Sequence, residues 1–188
     1  ASMPETGISP IPALSSLMKD LPALGTGGAL QPGFRLVTLT HVNAGEQAFG
    51  IAPGAGTVLA TLRTLQNADM QALCEAAENL VNDTASRAGL TAEITYHDVF
   101  QHCENDLAAT DVLHRAMTEV GITCDKEMGP MRWSEDFGQF ADVAKSAMFL
   151  LGAGERHPQL HNPDYDFPDD LIRVGAVVFH TALRNLLG

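Results

Sequence analysis

The sequence predicts an α+β fold: a split β-α-β two-layer sandwich that lacks its first strand, followed by the closing segment of an α/β domain. Helical and strand patterns follow one another in the order helix, strand, strand, helix, strand, which matches that sandwich once one strand is placed in front. The residues that follow contain a single strand pattern among helices, too little for an independent α/β domain. We therefore expect domains at residues 1–118 and 119–188, the first incomplete at its amino end.

The first half of the chain contains the elements of the sandwich. Apolar residues at three- and four-residue spacing predict helices over 9–24 and over 67–88. β-Branched and aromatic residues predict strands over 34–42 and 57–64, and alternation predicts a third strand over 91–100. In this topology the absent first strand is central in the sheet, so we expect a gap in the core.

The second half predicts more helix than strand. Apolar spacing and capping residues predict helices over 105–121 and 134–144, with Asn105 and Ser134 as the caps. The uninterrupted apolar run 147–151 is typical of a strand that is covered on both faces. Two aspartates at 169–170 begin a final helix, at the end where negative charge is favourable. The apolar face of this helix must pack against a large hydrophobic surface.

Charge and cysteine content exclude several classes of partner. The balance of 11 basic against 23 acidic residues gives a net charge of −12, which repels polyphosphates. We expect neither a nucleic-acid partner nor binding to an anionic membrane surface. No run of about 18 apolar residues is present, so no membrane span is predicted. The three cysteines contain no C-x-x-C pair, which favours reduced thiols in a cytoplasmic protein.

Four short motifs resemble one enzyme family. In order along the chain they are residues 1–13, Thr61–Thr64, Ser134–Phe137 and Leu160–Pro163. Together they are similar to the hippurate hydrolases and indole-acetyl-amino-acid hydrolases, metal-dependent amidohydrolases of the di-zinc exopeptidase clan with aminoacylase and carboxypeptidase relatives. The resemblance covers nearly the whole chain. It implies that residues 1–118 form a lid and dimerisation domain, and that residues 119–188 close a metallopeptidase-like catalytic domain.

The resemblance makes His161 a metal ligand. Neutral imidazole is a good zinc ligand, and a zinc site needs three or four protein ligands. The alternative is a solvent-facing histidine in an Asn-Pro turn. The family's remaining ligands, from a Cys/His-Asp-Gly-His run, a Glu-Glu pair and a further histidine, would lie upstream of Ala1. We therefore expect a divalent metal (Zn, Mn or Co) in the intact enzyme, none bound by this chain alone, and no catalytic residue within it.

Four residues are candidates for substrate binding: Arg63, Ser134, Glu135 and Gly152. An arginine fork suits a bidentate contact to the free carboxylate of an acyl amino acid, although an exposed sheet arginine explains Arg63 equally well. By resemblance, Ser134 and Glu135 line the substrate pocket, whereas favourable charge at a helix start is the alternative for Glu135. Gly152 lets a ligand approach the backbone closely, or simply makes a turn.

The resemblance implies that the intact protein hydrolyses the amide bond of N-acyl amino acids or similar small substrates. It also implies a homodimer that forms through the lid. Two other hypotheses stay open, namely a non-catalytic dimerisation or small-molecule-binding module and an inactive fragment. Because most of the metal ligands lie outside it, we expect the isolated chain to be catalytically silent.

Overall fold

The computed structural model describes residues 1–125 and 129–188. They form two compact units, one of Ala1–His102 with Pro130–Ser134 and one of Cys103–Gly129 with Glu135–Gly188. The two units divide the chain at other positions than the predicted domain boundary after residue 118. That boundary concerns the domains of an intact protein and stays a prediction. In the described part of the chain, no helix combines the length and the apolar character that crossing a bilayer requires.

The first unit is built on a two-stranded antiparallel sheet. Strand β1 (Arg35–Ala44) pairs with β2 (Gly56–Thr64) along the full length of both. The register shifts by one residue between Leu39 and His41. A shift of this kind is a β-bulge, which increases the local twist of the strand. The strands predicted over 34–42 and 57–64 are therefore confirmed, and β1 extends two residues beyond the predicted carboxyl end.

Two helices pack on one face of this sheet. Helix α1 (Ile11–Asp20) and helix α2 (Asn67–Arg87) close a core with β1, and its buried members are Leu17, Leu21, Val37, Leu73 and Ala77. Leu73 is completely buried. Helix α2 ends as the sequence predicts: Gly89 has a φ of 68°, and the Leu90 N–H donates to the Ala85 carbonyl at 2.9 Å, which satisfies a terminal carbonyl of the helix.

The prediction of a third strand over 91–100 is wrong. This stretch runs without strand pairing, and Ile94 and Tyr96 are 37% and 47% exposed. The physical reason is that a strand needs a neighbour to satisfy its backbone groups, whereas β1 and β2 pair only with each other in the described residues. The predicted split sandwich is therefore not formed in full. The described residues contain helices and a small two-stranded sheet.

One side chain holds this unpaired stretch against α2. The Tyr96 hydroxyl donates a hydrogen bond to Glu78 Oε1 at 2.8 Å. Partial burial, together with hydrogen bonds to Glu78 and Cys74, raises the pKa of the Tyr96 phenol well above its ordinary range. The segment is thus positioned by side-chain contact where a backbone ladder is absent.

The second unit is a pair of packed helices with extended segments around them. Helix α3 (Leu107–Glu119) packs on α4 (Asp170–Leu187), and the buried residues of their interface are Ala116, Met117, Val178 and Ala182. The final helix therefore begins where its aspartates predict. The cap of α3 is Asp106, whose Oδ1 accepts the Ala109 N–H at 2.9 Å, and the prediction of Asn105 as the cap is wrong.

The predicted strand over 147–151 is also wrong, because no described strand lies beside it. Asn105 satisfies the backbone of Met148 instead: its amide donates to the Met148 carbonyl at 2.8 Å, and its Oδ1 accepts the Met148 N–H at 2.9 Å. The predicted helix over 134–144 is a 3₁₀ segment, Asp136–Asp142, without a side-chain cap. Ser134 instead accepts a hydrogen bond from Arg63.

We predict that Leu73→Ala lowers the free energy of unfolding by about 2–5 kcal/mol, because it empties the most buried position of the first core. The measurement is the change in the urea midpoint followed by circular dichroism. Met18→Ala, which truncates a half-exposed side chain on α1, is the control and should change stability by less than about 0.5 kcal/mol. Equal effects of the two substitutions would contradict the assignment of this core.

We also predict that one of the two tyrosines loses its proton unusually late. Because its pKa is raised in the folded state, Tyr96 stabilises the fold fully below the ordinary tyrosine pKa, and this contribution is lost as the pH rises above it. Phenolate absorbance during an alkaline titration measures the step. Tyr96→Phe should remove the late step and Tyr165→Phe should leave it in place; a late step that survives Tyr96→Phe would contradict this assignment.

Candidate functional site

His161 lies at the tip of a loop made of two successive turns. The Asn162 N–H donates to the Gln159 carbonyl at 3.0 Å, and the Tyr165 N–H donates to the Asn162 carbonyl at 3.0 Å. His161 has a φ of 73°, a left-handed conformation that is uncommon for a residue other than glycine. Its side chain is exposed. The imidazole is therefore accessible to a ligand, as a metal site requires.

His161 does not form a metal site with its described neighbours. Within residues 1–125 and 129–188, no group of three or more His, Cys, Asp or Glu side chains is placed to hold a metal ion. His157, the histidine nearest in sequence, packs its ring edge-on against Tyr165 at a centroid distance of 5.3 Å. Among the described residues, His161 therefore fits a metal only as one donor of a larger ligand set.

The structure brings two of the predicted substrate residues together. Arg63 lies on β2 opposite Leu36 and is half-buried. Its Nη1 donates a hydrogen bond to Ser134 Oγ at 3.1 Å. A guanidinium has five N–H donors, so the Nε and Nη2 edge stays available for a bidentate carboxylate contact. This pair can thus bind an anionic end group while the serine holds the arginine in place.

The segment that contains Ser134 is anchored to the first unit by its neighbour Arg132. The Arg132 guanidinium lies 5.6 Å from the centroid of the Phe34 ring, a distance at which a cation is attracted to the ring face. Phe34 itself is buried. Ser134 lies 71 residues beyond Arg63 in the sequence and is therefore held beside β2 by contacts that the sequence pattern does not reveal.

The other two predicted substrate residues belong to the second unit. Glu135 is exposed, with extended backbone just before the 3₁₀ segment. Burial, with a further contribution from the Glu135 carboxylate, raises the pKa of the Cys103 thiol. Gly152 is exposed, and a Cβ added there would meet no atom within 4 Å. The structure leaves Gly152 open to an approaching ligand, and nothing in its surroundings requires a glycine.

Sequence reasoning did not identify the contact between His157 and Tyr165. A ring contact across an irregular loop produces no periodic pattern, so hydropathy could not have found it. The only available signal was the clustering of three aromatic or imidazole side chains at four-residue intervals, at positions 157, 161 and 165.

Comparison with known proteins gives the same relationship as the motifs. The model of peptidase family M20/M25/M40 matches residues 15–185. A hippurate hydrolase of Campylobacter jejuni is 28% identical over 188 residues, covering 98% of this chain and 49% of its own length. The IAA-amino acid hydrolase ILR1-like 2 of Arabidopsis thaliana is 25% identical over 195 residues, covering 95% of this chain and 42% of its own length.

A solved structure shares the fold. It is a Bacillus subtilis protein described as a dinuclear metal-binding peptidase of the M20 family, with a TM-score of 0.61 and 19% identity over 93% of this chain and 45% of that one. The chain spans about half the length of the curated relatives it matches. The predicted resemblance to the hippurate and indole-acetyl-amino-acid hydrolases is confirmed, and the chain belongs to peptidase family M20/M25/M40.

Proposed function

We propose that this chain is part of a metal-dependent amidohydrolase that cleaves the amide bond of N-acyl amino acids or similar small substrates. The observation that supports this most is the match of the family model to residues 15–185, together with relatives named as hydrolases of hippurate and of IAA-amino acids. The exposed imidazole of His161 and the Arg63–Ser134 pair supply two groups that such a reaction uses.

In this proposal His161 is one ligand of a divalent metal, Zn, Mn or Co. The remaining ligands and the general base would come from parts of the intact protein that this chain does not include, and we expect the isolated chain to bind no metal and to be inactive. A bound divalent metal lowers the pKa of water so that it can attack a carbonyl at neutral pH. The role of His161 is to donate a nitrogen lone pair to the metal.

Arg63 would bind the free carboxylate of the acyl amino acid. Its half-buried position on β2 reduces competition from water, and its hydrogen bond to Ser134 limits the orientations of the guanidinium. Both effects increase the strength and the geometric specificity of a charge-assisted bidentate contact. Ser134 is thus a residue that orients Arg63, and we also propose Glu135 and Gly152 as substrate-binding residues of the intact enzyme.

The assembly and location that accompany this function are also proposals. We expect a homodimer that forms through residues 1–118 and a cytoplasmic location. The net charge of −12 favours small substrates over nucleic acids as partners. An exposed apolar row on α4 supports the proposal that the second unit belongs to a larger domain: Ile172, Phe179 and Leu183 are exposed and recur at helical spacing.

We predict that His161→Ala in the full-length protein lowers kcat/KM for hippurate by about a hundredfold or more, because it removes a direct metal ligand. Metal content after dialysis, measured by elemental analysis, should fall with it. His180→Ala removes an exposed histidine from α4 and should change neither quantity. Full activity and full metal content in His161→Ala would exclude His161 as a ligand.

We predict that Arg63→Lys raises KM for N-acyl amino acids by about tenfold or more, because lysine keeps the charge but loses the fork. For a substrate whose carboxylate is replaced by a carboxamide, the same variant should behave like the wild type. Arg35→Lys changes a half-buried arginine of β1 and is the matched control. If Arg63→Lys impaired both substrates equally, Arg63 would not be the carboxylate contact.

A further inference from the structure

The loop that presents His161 is closed by two rings. His157 and Tyr165, each four residues from His161, meet with a centroid distance of 5.3 Å and an interplanar angle of 81°. An edge-to-face arrangement of this kind is a preferred geometry for aromatic rings. We call this contact the ring clasp. It joins the two ends of the segment 157–165 around His161.

The backbone between the two rings is restricted by prolines, and one of its residues, His161, has an unfavourable φ. His161 is the third residue of the turn from Gln159 to Asn162, and at that turn position a positive φ normally calls for glycine or asparagine. The prolines at 158 and 163 restrict the chain on either side. A histidine at φ 73° therefore persists only where its surroundings hold it in place.

The surroundings of the His157 ring indicate that its role is the contact with Tyr165. Its Nε2 is buried without a hydrogen-bond partner in the described residues, which costs free energy. The contact with Tyr165 offsets part of that cost. Because the nitrogen makes no hydrogen bond, a phenyl ring at position 157 would keep the clasp and remove the unsatisfied atom.

We propose that His157 and Tyr165 are positioning residues, which hold His161 in the left-handed conformation that presents its imidazole to the metal. The proposal rests on the proposed function, since it assumes that His161 is a ligand. Without the clasp, the loop spends less time in the competent conformation, and apparent metal affinity falls in proportion to the competent fraction.

The test compares ring-removing with ring-preserving variants. In the full-length protein, His157→Ala and Tyr165→Ala should weaken metal affinity, measured by chelator competition, by about three- to tenfold. His157→Phe and Tyr165→Phe should retain the affinity of the wild type. In the 188-residue chain, the ¹⁵N order parameter of the His161 amide should fall from about 0.85 to below about 0.6 in the alanine variants only.

The outcomes separate this proposal from the proposed function. Unchanged metal affinity and an unchanged His161 order parameter in both alanine variants would overturn the ring clasp, provided that His161→Ala itself weakens metal binding. Equal losses in the alanine and phenylalanine variants would also overturn it. If His161→Ala bound metal as the wild type does, the assignment of His161 as a ligand in the proposed function would fail instead, while the order parameters would still show whether the clasp orders the loop.

Discussion

A strand exists only where a neighbour accepts its backbone hydrogen bonds, and this requirement shapes the first unit. β1 and β2 supply each other with hydrogen-bond partners, so they form an antiparallel pair on which α1 and α2 pack. Residues 91–100 have the alternation of a strand, yet they lie beside no described strand and stay unpaired. Since the core of the unit is built on this antiparallel pair, the position of every side chain on β2, Arg63 included, depends on that pairing.

The candidate substrate contact follows from this platform. Register places Arg63 opposite Leu36, and the segment 130–134 returns to the same unit, where Arg132 lies against the Phe34 ring. Ser134 can therefore orient the guanidinium. The energetic value of this arrangement is preorganisation: an arginine whose side chain is already restrained loses less entropy when it binds a carboxylate.

The candidate metal ligand depends on a different kind of constraint. His161 is held by turns and by a ring contact that all lie within nine residues, so its presentation needs no sheet. A local loop can thus keep a strained conformation in a unit whose helices, α3 and α4, bury only a small core. Stored strain of this kind is common where a side chain must be offered to a ligand.

The sequence by itself determined helices α1, α2 and α4 and strands β1 and β2, and it identified the family. Helices α1, α2 and α4 follow from apolar spacing and end residues, because i→i+4 bonding is satisfied within the element. The motifs around Arg63 and His161 carry the resemblance to the family, because each motif is a short stretch whose residue types can be read directly along the chain.

Only the tertiary structure decided which polar groups meet. The hydrogen bond between Arg63 and Ser134 spans 71 positions, and that between Asn105 and Met148 spans 43; no periodicity encodes such pairs. The two predicted strands failed for the same reason, since alternation and apolar runs describe one face of a strand and contain no information about its neighbour. Contacts between distant residues depend on packing, and packing is a property of the folded chain.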